Sequence, residues 1–237
     1  MTFRSTITSL PTRIRWKSSS AYWERRYARG GNSGAGSYGA NAQYKADIIN
    51  RMMMEQEIDT VIELGCGDGN QLKYASYPKY LGLDVSPTAV RGCIELFVQD
   101  QSKSFMLYNS DLFVDHGSWL RADVTLSLDV IFHLVEDRIF DQYLDRLFLM
   151  AERQVIIFST NRDDLPSSPQ ERHRRFTDWV TANRPDWDLV EHIGPDGGMV
   201  QEFFRYVCAT DQSVPDQIGT RSVDGPNQLE SGRTAGP

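Results

Sequence analysis

Val61-Ile62-Glu63-Leu64-Gly65-Cys66-Gly67-Asp68-Gly69 is the stretch on which the reading of this chain turns. A short apolar run ends in three alternating glycines, and the pattern predicts a strand, a sharp bend and a following helix. Glycine belongs in such a bend because the backbone must turn tightly and let a ligand come close. A lone Gly-x-Gly also occurs in ordinary strand-to-helix turns, so the surrounding pattern has to supply the context.

Working outward, further short β-branched or apolar runs are predicted as strands at 79–84, 104–109, 123–128 and 154–159, after the first at 60–64. Helices are predicted between them. One spans 87–99, with Ser86 as N-cap and Pro87 at the first helical position. Another spans 138–151, where Ile139, Phe140, Tyr143, Leu144, Leu147 and Phe148 share a face. Strand and helix alternating in this way imply βαβ units and a parallel sheet: an α/β, Rossmann-like, doubly wound architecture. After 159 the pattern changes. A polar loop at 160–169 leads to a predicted helix at 170–183, then to strands at 187–192 and 203–209. Gly194, Pro195, Asp196, Gly197 and Gly198 lie between those strands, which predicts antiparallel neighbours. Ahead of the first strand, 21–29 and 39–54 read as helices joined by the glycine-rich 30–36.

The glycine spacing separates two kinds of nucleotide site. A dinucleotide fingerprint is Gly-x-Gly-x-x-Gly, but position 70 here is Asn, and Gly65, Gly67 and Gly69 form Gly-x-Gly-x-Gly. The shorter form suits a ligand without a pyrophosphate. Asp84 ends the second run, where a carboxylate can accept hydrogen bonds from both ribose hydroxyls. It could also cap the next helix, although Ser86 is placed to do that.

Composition bounds the remaining possibilities. Of 237 residues, 40% are hydrophobic and 24% charged, enough for one globular domain with a sizeable core. No apolar run approaches the roughly 18 residues of a membrane span. A net charge of −7 argues against binding nucleic acid chiefly through its phosphates. Cys66, Cys93 and Cys208 are odd in number and not spaced as Cys-x-x-Cys, so a reducing, cytoplasmic setting is expected rather than a disulfide framework. Residues 1–20 carry Arg4, Arg13, Arg15 and Lys17 without an acidic residue. They read as a disordered basic arm, a composition shared with organellar transit peptides. Residues 211–237, polar and rich in Gly, Pro, Ser and Asp, read as a disordered tail. The domain is expected over 21–210, with 21–55 forming an N-terminal helical cap or lid.

Residues 63–69, with Asp84 one strand later, resemble motif I and its acidic partner in class I S-adenosylmethionine-dependent methyltransferases. The resemblance extends over about 22–209 and is specific at the superfamily level. It implies a seven-stranded sheet, mostly parallel with its last strand antiparallel, and S-adenosyl-L-methionine as cofactor. Glu63, Gly65, Cys66, Gly67 and Gly69 fall in the motif, and Asp84 and Val85 follow the second strand. Ser110, Asp111 and Leu112 correspond to the adenine-contacting position. Asp129 and Val130, within Leu128-Asp129-Val130-Ile131-Phe132-His133-Leu134, correspond to the loop that lines the methionine end and the acceptor site. Tyr22-Trp23-Glu24-Arg25-Arg26-Tyr27 and the glycine-rich 30–39 resemble the cofactor-covering entry segment of some small-molecule and sugar methyltransferases. Trp23 and Tyr27 are thereby candidates to pack on the cofactor, though they could equally be helix core.

Methyl transfer from a sulfonium is an in-line displacement, so the protein's task is to position the acceptor and, for a hydroxyl, to supply a base. His133 is the first candidate base. The second is His173, within Arg172-His173-Arg174-Arg175, whose arginines could bind an anion on the acceptor. A small-molecule acceptor is expected, most plausibly a sugar hydroxyl, with no metal, nucleic acid or membrane partner. A macromolecular acceptor and non-catalytic cofactor binding are the alternatives, and the oligomeric state is left open.

Overall fold

The computed structural model describes residues 18–209. The predicted tail, and all of the basic arm except Ser18, Ser19 and Ser20, lie outside the described residues. Seven strands form one sheet: β1 (Thr60–Leu64), β2 (Lys79–Asp84), β3 (Lys103–Leu107), β4 (Ala122–Leu128), β5 (Ala151–Ser159), β6 (Trp187–Ile193) and β7 (Glu202–Cys208). Their order is β3-β2-β1-β4-β5-β7-β6. Neighbours from β3 to β5 are parallel, and β7 runs antiparallel to both β5 and β6. The strand order reverses beside β1, between β2 and β4, which is where open α/β sheets form a crevice at their carboxyl ends.

The central strands are apolar on both sides because both sides are covered. In β5, Val155 and Ile157 join one cluster with Tyr143, Leu144 and Leu147 of α4 (Asp137–Leu149) and Phe176 and Val180 of α5 (Phe176–Asn183). Ile156 and Phe158 join the other, with Ile49, Met52 and Met53 of α2 (Gly39–Glu55) and Cys93 of α3 (Pro87–Leu96). Period-two alternation thus divides one apolar run between two cores. Ser86 caps α3, accepting from the Ala89 amide at 3.0 Å, with Pro87 in the first turn as the sequence predicts.

Two predicted helices require correction. No α-helix follows the glycine bend, only a 3-10 turn at Gln71–Tyr74. The link to β2 is short and ends at Pro78, and α2 occupies the adjoining space. Asn50 of α2 donates to the Tyr74 carbonyl at 2.9 Å and accepts from the Ser76 amide at 2.8 Å, tying the link down without a helix. The helix expected over 170–183 begins only at Phe176. Residues 170–175 lie outside any helix, and several of them bond the loop after β4: the Arg172 amide donates to the Phe132 carbonyl at 2.8 Å, and Arg174 donates to the Leu134 and Val135 carbonyls. Tertiary partners override helix propensity there. At the N-terminus α1 (Ser19–Ala28) starts two residues before the expected domain boundary, capped by Ser18.

Candidate functional site

The bend after β1 is built on positive backbone angles: Gly65 has φ +89° and Gly67 has φ +58°. A Cβ at Gly65 would meet Val130 Cγ2 at 2.5 Å, and one at Gly67 would meet Ser33 Oγ at 2.3 Å. Both positions therefore require glycine for conformation and for space. The bend is anchored from below, since the Gly65 and Cys66 amides donate to the Leu83 carbonyl. Gly69 faces the other way, where a Cβ would touch Cys93 of α3 and Phe97 just past its end.

Asp84 closes the bend. Its carboxylate accepts from the Gly67 amide at 2.9 Å and the Ser86 amide at 2.8 Å while also lining a cavity. Burial outweighs those hydrogen bonds and raises its pKa to about 6. Glu63, buried beneath the bend, accepts from the Tyr80 hydroxyl at 2.6 Å, and burial raises its pKa to about 7.

The N-terminal segment covers this edge of the sheet, and four clasps hold it. Glu24 accepts from Ser86 Oγ and Thr88 Oγ1 at the start of α3. Asp68 accepts from the Ser33 amide and the Tyr38 hydroxyl at 2.9 and 2.8 Å, while its own amide donates to Ser33 Oγ. Glu136, at the start of α4, accepts from the Ser19 amide and hydroxyl. Lys45 of α2 pairs with Asp129 at 2.6 Å. Tyr27 is buried, its hydroxyl 3.0 Å from Ser33 Oγ, and Trp23 stacks on it.

Enclosed by these parts is a cavity of about 360 Å³, within the range of small-molecule sites. It brings together Trp23, Tyr27, Glu63, Gly65, Cys66, Gly67, Asp84, Val85, Asp111, Asp129, Val130 and His133 from the sequence-derived set. Gly69, Leu112 and His173 are not among its walls. Leu112 is 78% exposed. Asp111 sits at the rim in an exposed pair with Arg138, worth little in water. Glu63, Asp84, Asp111, Asp129 and Glu136 line the cavity; Arg138 offsets Asp111 and Lys45 offsets Asp129, and the remaining carboxylates leave the lining acidic.

His133 ends a 3-10 turn at Ile131–His133, its ring edge-on to Trp23 with centroids 4.9 Å apart. Its Nδ1 is 3.0 Å from the Gln170 carbonyl. A carbonyl only accepts, so Nδ1 carries the hydrogen and Nε2 keeps its lone pair. Burial lowers the ring's pKa, favouring the neutral form. His173 lies behind Phe132, stacked on that ring, with Nδ1 2.8 Å from Thr160 Oγ1. The neighbouring arginines are occupied structurally. Arg174 donates to the Leu134 and Val135 carbonyls and pairs with Asp137, as does Arg172, and Arg175 faces Asp163. Together the 170–174 segment fastens the loop that carries His133.

Sequence reasoning missed Lys45, Ser19, Ser33, Gln71 and Glu136. Lys45 sits at a core-facing position of α2, where a lysine breaks the apolar pattern; that is the one signal that could have found it. Among the described residues no group of three or more His, Cys, Asp or Glu side chains is placed to hold a metal ion, and no helix is long and apolar enough to cross a membrane.

No protein-family model matches the chain, and no curated protein matches it. Solved structures do. The magnesium protoporphyrin IX methyltransferase of Synechocystis PCC 6803, with bound SAH, aligns with a TM-score of 0.58 and 14% identity over 80% of this chain and 97% of that one. The N-methyltransferase NodS of Bradyrhizobium japonicum WM9, also with S-adenosyl-L-homocysteine, aligns with a TM-score of 0.60 and 12% identity over 81% and 99%. The small RNA methyltransferase HEN1 aligns with a TM-score of 0.57 and 14% identity over 73% of this chain and 26% of that one. The chain therefore has the Rossmann-like fold found in S-adenosylmethionine-dependent methyltransferases. Those three proteins share the fold while differing in what their names say they methylate, so fold alone does not choose an acceptor.

Proposed function

We propose that this protein is an S-adenosyl-L-methionine-dependent methyltransferase acting on a polar small molecule, most plausibly a hydroxyl of a sugar or related metabolite. One observation carries the reading: a single covered cavity joins the glycine bend, the Asp84 carboxylate and the Nε2-basic His133. In this assignment the bend at Gly65–Cys66–Gly67 lets the donor approach the backbone, and Asp84 accepts from the ribose hydroxyls. Val85 flanks the adenosine, with Asp111 at the adenine rim and Val130 toward the methionine end. The cofactor supplies an activated methyl group on a cationic sulfur, and the surplus of carboxylates suits that charge.

The chain's own residues position the acceptor and handle its proton. His133 Nε2 would take the proton from the acceptor hydroxyl as that oxygen receives the methyl group. Trp23 packs on the imidazole and Ser33 covers the bend. A cavity enclosed beneath the N-terminal segment favours a small acceptor over a macromolecular strand or surface. His173, which stacks on Phe132 and is not among the cavity walls, has no part in this reading. A cytoplasmic setting remains the expectation from the cysteine usage.

A methyl-transfer assay with sugars, hydroxy acids, amines and phenols tests the proposal. Turnover of a sugar or other polyol is the expected result; turnover of none of these, or of RNA alone, would contradict it.

A further inference from the structure

Residues 170–174 run beside the loop that carries His133, and three of them reach it at alternate positions. The Gln170 carbonyl accepts from His133 Nδ1 at 3.0 Å, and the Arg172 amide donates to the Phe132 carbonyl at 2.8 Å. The Arg174 guanidinium donates to the two carbonyls that follow His133: its Nη1 lies 2.7 Å from the Leu134 oxygen and its Nη2 3.1 Å from that of Val135. The same Nη2 is 3.0 Å from Asp137 in the first turn of α4. The guanidinium carbon stands 4.5 Å from the centre of the Phe140 ring, further along that helix.

Charge balance does not account for this placement. The Asp137 side chain is 71% exposed, so pairing with it contributes little in water. The Arg174 side chain is only 14% exposed, and its Nε finds no acceptor among the described residues. One buried donor is left unpaired while both Nη groups are aimed at neutral carbonyls, and an unpaired group of that kind calls for a reason. Two prongs on consecutive carbonyls suit a planar guanidinium and not a single ammonium. The Leu134–Val135 peptide is gripped on both edges, its carbonyl by Arg174 and its amide by Ser19 Oγ at 3.3 Å. Holding that peptide fixes the loop against residue 170 and keeps the Gln170 carbonyl within reach of the imidazole. The Gln170 contact in turn decides which ring nitrogen carries the hydrogen.

We propose that Arg174 is a positioning residue for His133: by holding the Leu134 and Val135 carbonyls it keeps the imidazole in its Nδ1–H form and leaves Nε2 as the free nitrogen. This rests on the reading of His133 as the base and adds to it a residue that is not among the cavity walls. It also separates the members of the arginine cluster. Arg174 serves the base, whereas Arg175, with 55% of its side chain exposed, faces only Asp163 at 3.8 Å among the ion pairs of the described residues.

Nitrogen-15 NMR of the histidine rings in the full chain tests this, with His133→Ala identifying the His133 signals. The wild type at pH 8 is expected to show Nδ1 protonated and Nε2 bare. Arg174→Met, which keeps an apolar stem against Phe140, should raise the released population of the loop by about tenfold or more, the scale of two lost charge-assisted hydrogen bonds, and bring in the Nε2–H form. Arg174→Lys, which keeps the charge without the fork, should do the same and decides the matter if Arg174→Met does not fold. Arg175→Met should leave the signals as they are in the wild type. His133 signals unchanged in the Arg174 variants, or moved equally by Arg175→Met, would overturn the assignment and leave the base reading standing. So would a wild type in which Nε2 already carries the hydrogen. Full methyl transfer by His133→Ala would instead remove the base reading, and the catalytic meaning of Arg174 with it, whatever the ring signals show.

Discussion

Asp84 and His133 must both be unprotonated to act, and what surrounds each shifts its pKa in the opposite direction. Asp84 accepts two backbone amides yet is held up to about 6 by burial. Ribose hydroxyls donate best to the ionised carboxylate, so affinity for S-adenosylhomocysteine is expected to hold above pH 6 and to fall as pH drops through it. Asp84→Asn should abolish that dependence, and calorimetric titrations between pH 5 and 8 check it, with binding weaker by about 100-fold at pH 8 for the loss of charged hydrogen bonds. His133 has Nδ1 committed to Gln170 and a lowered pKa, so its free nitrogen is a base across neutral pH. His133→Ala should reduce kcat by about 10²-fold or more while changing donor affinity far less, as single-turnover kinetics beside calorimetry would show. At this scale the sequence was informative where chemistry leaves a composition signal. Glycines at 65 and 67 and a carboxylate at 84 were legible because few other residue types fit a bend or a ribose. The order of the two histidines, His133 before His173, was read from the position of His133 after the fourth strand; that His133 alone lines the cavity while His173 stacks on Phe132 outside its walls was not legible.

The elements tell a similar story. Strands β1, β2, β4 and β5 and helices α3 and α4 were readable from apolar period and caps, since each buries a face whose pattern lies within its own residues. The two helices predicted wrongly were decided by distant partners: Asn50 on the link after the bend, and the loop carbonyls of Phe132, Leu134 and Val135 on 170–175. The cover over the cavity was legible as two helices joined by a glycine-rich stretch, but what fastens it was not, and that becomes physical through Asp68. That side chain clasps Ser33 and Tyr38, and the bend's own amide returns a bond to Ser33. Asp68→Ala is expected to loosen 30–38, raising its amide exchange and speeding S-adenosylhomocysteine release by about tenfold for the lost charge-assisted bonds. Unchanged exchange in that segment would show that the clasp contributes nothing.

Across the whole molecule, acidic residues outnumber basic ones, 32 to 25, and a buried one, Glu63, bears on stability. Glu63 is raised from 4.5 to about 7 by burial. A group whose folded-state value is raised contributes fully below its unfolded value and loses that contribution as pH climbs to the folded one. Its stabilisation is therefore present at pH 4.5 and lost by about pH 7. Glu63→Gln, which keeps an acceptor for Tyr80, should flatten the pH dependence of Tm over that window relative to the wild type; parallel curves would contradict the assignment. The sheet order, with its reversal beside β1, is what gathers Gly65, Asp84 and Asp129 from three strand ends at one edge. That gathering was anticipated from the alternating pattern, whereas the N-terminal clasps and the α2 lysine beneath them were not, because contacts between remote segments leave no local period to read.

Titration of the full chain with S-adenosylhomocysteine, beside Asp84→Ala, is the most direct test of the assignment. One equivalent should bind to the wild type, and the variant should give no measurable heat at the same concentrations. Silence from the wild type, or an isotherm that Asp84→Ala leaves unchanged, would mean that the cavity under the N-terminal segment is not a methyl-donor site.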